Sequence, residues 1–189
     1  MILSLTGTLL LSILLTFAMI KLAVRLNIVD RPDSFLKPHA RTTPYMGGIG
    51  VFFSVIFFYI TDIHFVIPSI ILLILGLYDD IKSLNPKIRI LVEFLTTSLF
   101  VVLYSSETNP FWLILLVLTG VALINSVNMI DGMDGVCTGT VLIALASFYF
   151  LTGDWRILFF IAALSGFLIF NFNPAKIFLG DAGSYFLGF

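Results

Sequence analysis

Residues 1 to 24, MILSLTGTLLLSILLTFAMIKLAV, meet no charge before Lys21. Such a run is long enough to cross the roughly 30 Å hydrocarbon core of a bilayer at about 1.5 Å per helical residue. Comparable runs return at 88 to 104, 110 to 127, 136 to 151 and 155 to 172. Of the 189 residues, 59% are hydrophobic and 11% charged, with a mean hydropathy of +1.10. That is more apolar surface than a soluble core of this length can hide, so the lipid bilayer is itself an expected partner. The expected fold class is all-α, a polytopic membrane helical bundle forming one domain over 1–189. The first run lacks a basic n-region and a small-residue cleavage site, which predicts a retained span rather than a signal peptide. The single Cys137 excludes an internal disulfide, and a net charge of -1 gives no reason to expect nucleic acid.

The stretch 47 to 78 contains two short apolar runs separated by TDIH. Read as one span, it would put the basic loops around it on opposite sides of the membrane. Read as a hairpin, it gathers nine of the ten Lys and Arg residues on one side and leaves only Arg156 opposite. The positive-inside rule then makes that side cytoplasmic and the N-terminus external. Seven transmembrane helices follow, with the start of an eighth at SYFLGF. The cytoplasmic loops fall at about 25–46, 79–88, 128–135 and 173–183.

Seven of the eleven acidic residues fall in those loops. A carboxylate at bilayer depth costs roughly 2.5 to 3.5 kcal/mol, so acidic groups bordering the membrane survive at a watery face, paired, or at work. Asp79 and Asp80 follow a long apolar run and oppose the macrodipole at its end; adjacent carboxylates suit a Mg²⁺ or an acid/base role better than a cap. Asn125, Asn128, Asp131 and Asp134 recur every third residue, a spacing that predicts a slanting polar ridge on one helix. Gly132 and Gly135 would end that helix and let a ligand approach. Asp181, between glycines ahead of a helix N-terminus with Ser184 as its cap, suits a hard metal beside a phosphate. Lys87 could reach a phosphate or serve only as a topology signal. His39, flanked by Lys37 and Arg41, offers an anion site or an ordinary juxtamembrane basic loop. Together these residues suit a metal-assisted reaction between a soluble phosphate compound and a lipid-borne one.

The motifs DRPDSFLKPHARTTPYMGG, YDDIKSLNPK, NSVNMIDGMDG and NPAKIFLGDAGSYFLGF resemble, in order and spacing, the polyprenyl-phosphate N-acetylhexosamine-1-phosphate transferases of glycosyltransferase family 4. The resemblance implies Mg²⁺- or Mn²⁺-dependent transfer of a sugar 1-phosphate from a UDP-sugar to undecaprenyl phosphate. UMP is released at the cytoplasmic face of a bacterial plasma membrane, and cell-envelope polysaccharide synthesis begins. It implies Asp181, with Asp80, as metal ligands, and Asp79 or Asp80 as the group that deprotonates the lipid phosphate or attacks directly. It also implies nucleotide, metal and phosphate contacts for Asn128, Asp131 and Asp134, and a phosphate contact for Lys87. NMIDGMDG and GDAGSYFLGF look more like the GlcNAc-type enzymes than the phospho-MurNAc-pentapeptide transferases. Glu93 stands where many members carry Gln. The family's further spans and its later His-rich loop are not in this sequence, so the chain reads as the catalytic N-terminal portion, alone or as a homodimer.

Three other readings compete. A cation transporter predicts mid-span carboxylates and inverted repeats, whereas here the acids cluster at one face. The CDP-alcohol phosphotransferases carry DGxxAR, where this chain reads DGMD and DGVC. The third is a non-catalytic, truncated membrane protein.

Overall fold

The computed structural model describes residues 1–31 and 42–189. Among them eight α-helices follow in order: α1 Ile2–Leu26, α2 Gly47–Val55, α3 Ile63–Lys82, α4 Pro86–Tyr104, α5 Pro110–Ile130, α6 Val136–Thr152, α7 Ile157–Asn171 and α8 Asp181–Gly188. A 3-10 turn, Ile56–Tyr59, extends α2. Helices α1, α3 and α5 are long and apolar enough to cross a membrane, and the molecule is an all-α membrane bundle.

Local chemistry sets the boundaries. Asn85 and Asn109 accept the amides of Lys87 and Phe111 at 3.0 Å each, with Pro86 and Pro110 at the first helical positions. The Asp62 side chain accepts the Phe65 amide and starts α3. Gly48 on α2 and Gly76 on α3 both abut the start of α8, so α2 begins at the level where α3 ends. Residues 47–82 therefore form a hairpin turning at 60–62, as the distribution of basic residues predicts.

On α1 the packing inverts the soluble pattern. Thr8, Ser12 and Thr16 are buried at four-residue spacing while Leu10 and Leu14 are 58% and 65% exposed. Ser12 donates to the Ala163 carbonyl on α7 at 2.6 Å, and Gly166 lies against Leu9 and Ser12. Small and hydroxyl residues thus line the contacts of α1 and its leucines face outward as lipid requires, while Leu72, Leu164 and Phe167 fill apolar cores between the other helices.

Helix α8 sits in the middle of the site end of the bundle. Its Ala182, Ser184, Tyr185 and Phe186 are buried against α2, α3 and α5. This close approach depends on Gly76, where a Cβ would meet the backbone of Asp181 and Ala182. Residues 178–179 are pinned by backbone bonds to the start of α2: Phe178 accepts the Gly47 amide at 3.0 Å and Leu179 the Gly48 amide at 2.8 Å. Strands β1 Val29–Asp30 and β2 Thr43–Pro44 pair antiparallel, and the Pro44 carbonyl takes the Phe178 amide at 2.8 Å, bringing Asp30 to the same end.

Candidate active site

The site grows from the end of α3. Asp79 and Asp80 are helical, because α3 continues to Lys82. Asp80 Oδ1 accepts the amide of Asp181 at 2.9 Å and Oδ2 that of Ala182 at 3.2 Å. The carboxylate that opposes the dipole of its own helix thus caps the positive end of another. This corrects the expectation that Ser184 caps α8. The helix starts three residues earlier, at Asp181, and the Ser184 hydroxyl donates back to the Asp181 carbonyl at 3.3 Å. Gly180, at φ 78, has room for no Cβ between the Tyr45 carbonyl and Asp80, and its left-handed turn swings the chain into α8.

Asp79 is oriented from behind. Its Oδ1 accepts the Leu84 amide and its Oδ2 the Tyr185 hydroxyl, each at 2.6 Å, and Arg89 Nη1 lies 3.8 Å from Oδ2. Asp181 Oδ1 accepts from Asn128 Nδ2 at 2.6 Å, and the same nitrogen lies 3.1 Å from Ser184 Oγ. Asp131 closes α5 as its C-cap. Burial and then the charge of Asp181 push its carboxyl up to about 8, against the Gly180 amide and Cys137 thiol, which favour the anion.

These groups face one cavity of about 340 Å³, lined by Asp30, Asp79, Asp80, Asp131 and Asp181 with Tyr45, Ser83 and Gly180 among its other walls. Its donors are hard oxygens. Among the described residues no three His, Cys, Asp or Glu side chains converge on one point, so any ion held here completes its shell with water or ligand oxygens.

The expected ridge does not stay on one helix. Because α5 ends at Ile130, its four polar residues turn to separate neighbours. Asn128 serves Asp181 and Asp131 faces the cavity. Asn125 instead joins Glu93 and Arg89 on α4. Asp134 lies in the turn before α6 and holds the 173–175 segment, accepting from Asn173 Nδ2 at 3.2 Å and the Ala175 amide at 2.9 Å. Gly132 is exposed with open space around it, and Lys87 is exposed on the first turn of α4, outside the cavity wall. His39 lies outside the described residues.

Sequence reasoning passed over Asp30, Tyr45, Arg89 and Tyr185. Asp30 and Tyr45 stood in the first quoted motif and Tyr185 in the last, but the partners that give these three and Arg89 their roles are distant in sequence.

The sequence model of glycosyl transferase family 4 matches residues 63–189. The chain is 33% identical over 181 residues to the undecaprenyl-phosphate alpha-N-acetylglucosaminyl 1-phosphate transferase of Thermotoga maritima, covering 94% of this chain and 59% of the relative. It is 33% identical over 172 residues to the phospho-N-acetylmuramoyl-pentapeptide-transferase of Dictyoglomus thermophilum, covering 77% of this chain and 56% of the relative. The chain thus spans less than two thirds of the length of these relatives.

Proposed function

Because the chain belongs to glycosyl transferase family 4, we propose that it transfers a sugar 1-phosphate from a UDP-sugar to undecaprenyl phosphate and releases UMP. The sugar is GlcNAc or a related N-acetylhexosamine. The carrying observation is the convergence of five carboxylates from four segments of the chain on one cavity at one end of a membrane bundle. A site at a membrane edge suits one lipid-borne and one soluble reactant. In this reading the cavity opens at the cytoplasmic face of a bacterial plasma membrane.

An oxygen of the lipid phosphate attacks the sugar-bearing phosphorus of the nucleotide diphosphate. The bond from that phosphorus to the bridging oxygen breaks, and the electron pair leaves on UMP. Asp79 and Asp80 are the carboxylates available to take a proton from the lipid phosphate. Both are fixed before substrate arrives, Asp80 by the two amides of α8 and Asp79 by Leu84 and Tyr185. Such fixation keeps the proton acceptor aligned at little entropic cost.

The residues fit Mg²⁺. Asp181 and Asp80 would hold it through hard anionic oxygens, with the rest of its shell from water and phosphate oxygens, and a dication there would relieve the repulsion between Asp131 and Asp181. When bound, the ion supplies charge neutralisation for the diphosphate and the departing UMP. Asn128 orients Asp181 for that task through its 2.6 Å bond.

The test is UMP release by the purified chain in detergent with undecaprenyl phosphate, Mg²⁺ and UDP-GlcNAc, and in parallel with UDP-MurNAc-pentapeptide. Release with UDP-GlcNAc that is lost on chelation and in Asp181→Asn is the expected result. Release only with the pentapeptide donor replaces the sugar assignment, and release that survives both chelation and Asp181→Asn overturns the metal site.

A further inference from the structure

A second polar group lies behind the cavity, inside the bundle. Glu93, in the third turn of α4, is fully buried. A buried carboxylate on a membrane helix is costly and points to function rather than packing. Its Oε2 accepts from Asn125 Nδ2 at 2.5 Å, and its Oε1 lies 3.6 Å from Arg89 Nε, one turn earlier on the same helix. Arg89 Nη2 donates to Asn125 Oδ1 at 3.1 Å, closing a ring of three residues. The other arm of the guanidinium reaches toward Asp79 Oδ2, the oxygen that also takes the Tyr185 hydroxyl.

Neither Arg89 nor Glu93 lines the cavity. Arg89 reaches Asp79 directly, and both touch Asn125, which lies one turn before Asn128 on α5. A planar fork with one arm on Asn125 and the other toward Asp79 fixes two helices relative to each other, which a flexible lysine could not do. Stability alone is a poor reason for the arrangement, since well-packed apolar residues replace buried ion pairs at no net cost. Arg89 Nε and Glu93 Oε1 meet only as an ion pair at 3.6 Å, outside hydrogen-bond range, which is looser than a pair kept for stability alone would be.

We propose that Glu93 and Arg89 are a positioning pair. Glu93 holds the Arg89 guanidinium, and Arg89 sets the Asp79 carboxylate and the Asn125 side chain of α5 for the reaction in the cavity. This deepens the transferase reading above and rests on it for the catalytic consequence, though the coupling itself exists without substrate.

The ligand-free test labels the aspartate carboxyl carbons with ¹³C in the full chain and assigns the Asp79 signal by its loss in Asp79→Asn. Glu93→Gln keeps the acceptor for Asn125 and removes the charge facing Arg89. It is expected to move the Asp79 signal, to leave that of Asp62 at the other end of α3 unchanged, and to have no effect on Asp79 in an Arg89→Gln background. An Asp79 signal that ignores Glu93→Gln in a protein with unchanged melting overturns the proposal. If Glu93→Gln fails to fold, Glu93→Asp, which withdraws the charge by one methylene, is read on the same signals with the same expectation.

Turnover gives the second arm. Glu93→Gln is expected to lower kcat on the order of tenfold or more at near-constant KM, as misplacement of a reacting group does. The double variant Arg89→Gln with Glu93→Gln is expected to restore the melting temperature without restoring kcat. Full recovery of kcat in the double variant means mere charge balance and overturns the positioning role. If the unsubstituted chain releases no UMP, the transferase reading fails and the ¹³C result decides the coupling alone.

Discussion

Asp80 accepts the Asp181 amide at 2.9 Å, so one carboxylate of the cavity builds the helix start that presents another. Two residues about a hundred positions apart thereby share one hydrogen-bonded unit, and Asp80 serves both the fold and the proposed metal. Asn and Ala at position 80 separate these roles. Asp80→Asn keeps one side-chain oxygen for an α8 amide and should lose about 1 kcal/mol of stability. Asp80→Ala removes the cap entirely and should lose about 2 kcal/mol. UMP release should fall on the order of a hundredfold in both, since neither carries the charge. Thermal unfolding beside turnover reads the split, and near-normal turnover in Asp80→Asn would reduce Asp80 to a cap.

The helices were largely legible in the sequence because lipid demands long apolar runs and Asn-Pro pairs mark two of the starts. The hairpin over 47–78 followed from the distribution of Lys and Arg, an argument independent of local propensity. The site was legible at Asp79, Asp80, Asp131 and Asp181, each at an apolar boundary where a charge is expensive. It was not legible where the decisive fact is a partner across space. Nothing near Ser184 says that its helix is capped from α3. Nor does the three-residue spacing of Asn125, Asn128, Asp131 and Asp134 say that α5 stops at Ile130 and sends them to different neighbours. Glu93 was visible as an oddity, and only its ring with Asn125 and Arg89 gives it a place.

Gly76 is expected to tolerate no side chain. A Cβ there would meet the backbone of Asp181 and Ala182, which cannot swing aside as a flexible side chain could. Gly76→Ala should cost about 1 to 3 kcal/mol by overpacking and push α8 away from Asp80, one turn further along α3. Turnover should fall more than stability alone explains, measured at a temperature where the variant is still fully folded.

Asn128 holds the Asp181 side chain, whereas Asp80 holds its amide. Asn128→Ala should leave the helices intact and weaken Mg²⁺ binding about 10- to 100-fold, the usual effect of losing a group that orients a metal ligand. Calorimetric titration with Mg²⁺ in the absence of nucleotide measures this directly. Unchanged affinity would mean that Asp181 finds its orientation from α8 alone.

Asp131 gives the pH dependence. Burial and the neighbouring Asp181 push its folded carboxyl up to about 8, while an unfolded aspartate titrates near 4. Between those values the unfolded chain has released this proton and the folded chain still holds it. The unfolded state then binds fewer protons, and stability falls as pH rises. In EDTA, melting temperature should therefore decline from about pH 4 to about pH 8 through this group and level off above. Asp131→Asn should remove that part of the slope, and comparison of the two melting profiles isolates it from other carboxylates. Mg²⁺ competes with the same proton, so its affinity should rise with pH up to about 8 in the unsubstituted chain and more weakly in Asp131→Asn. Identical slopes in the two proteins would mean that Asp131 is already ionised at neutral pH, and that the cavity keeps one more fixed charge than its burial predicts.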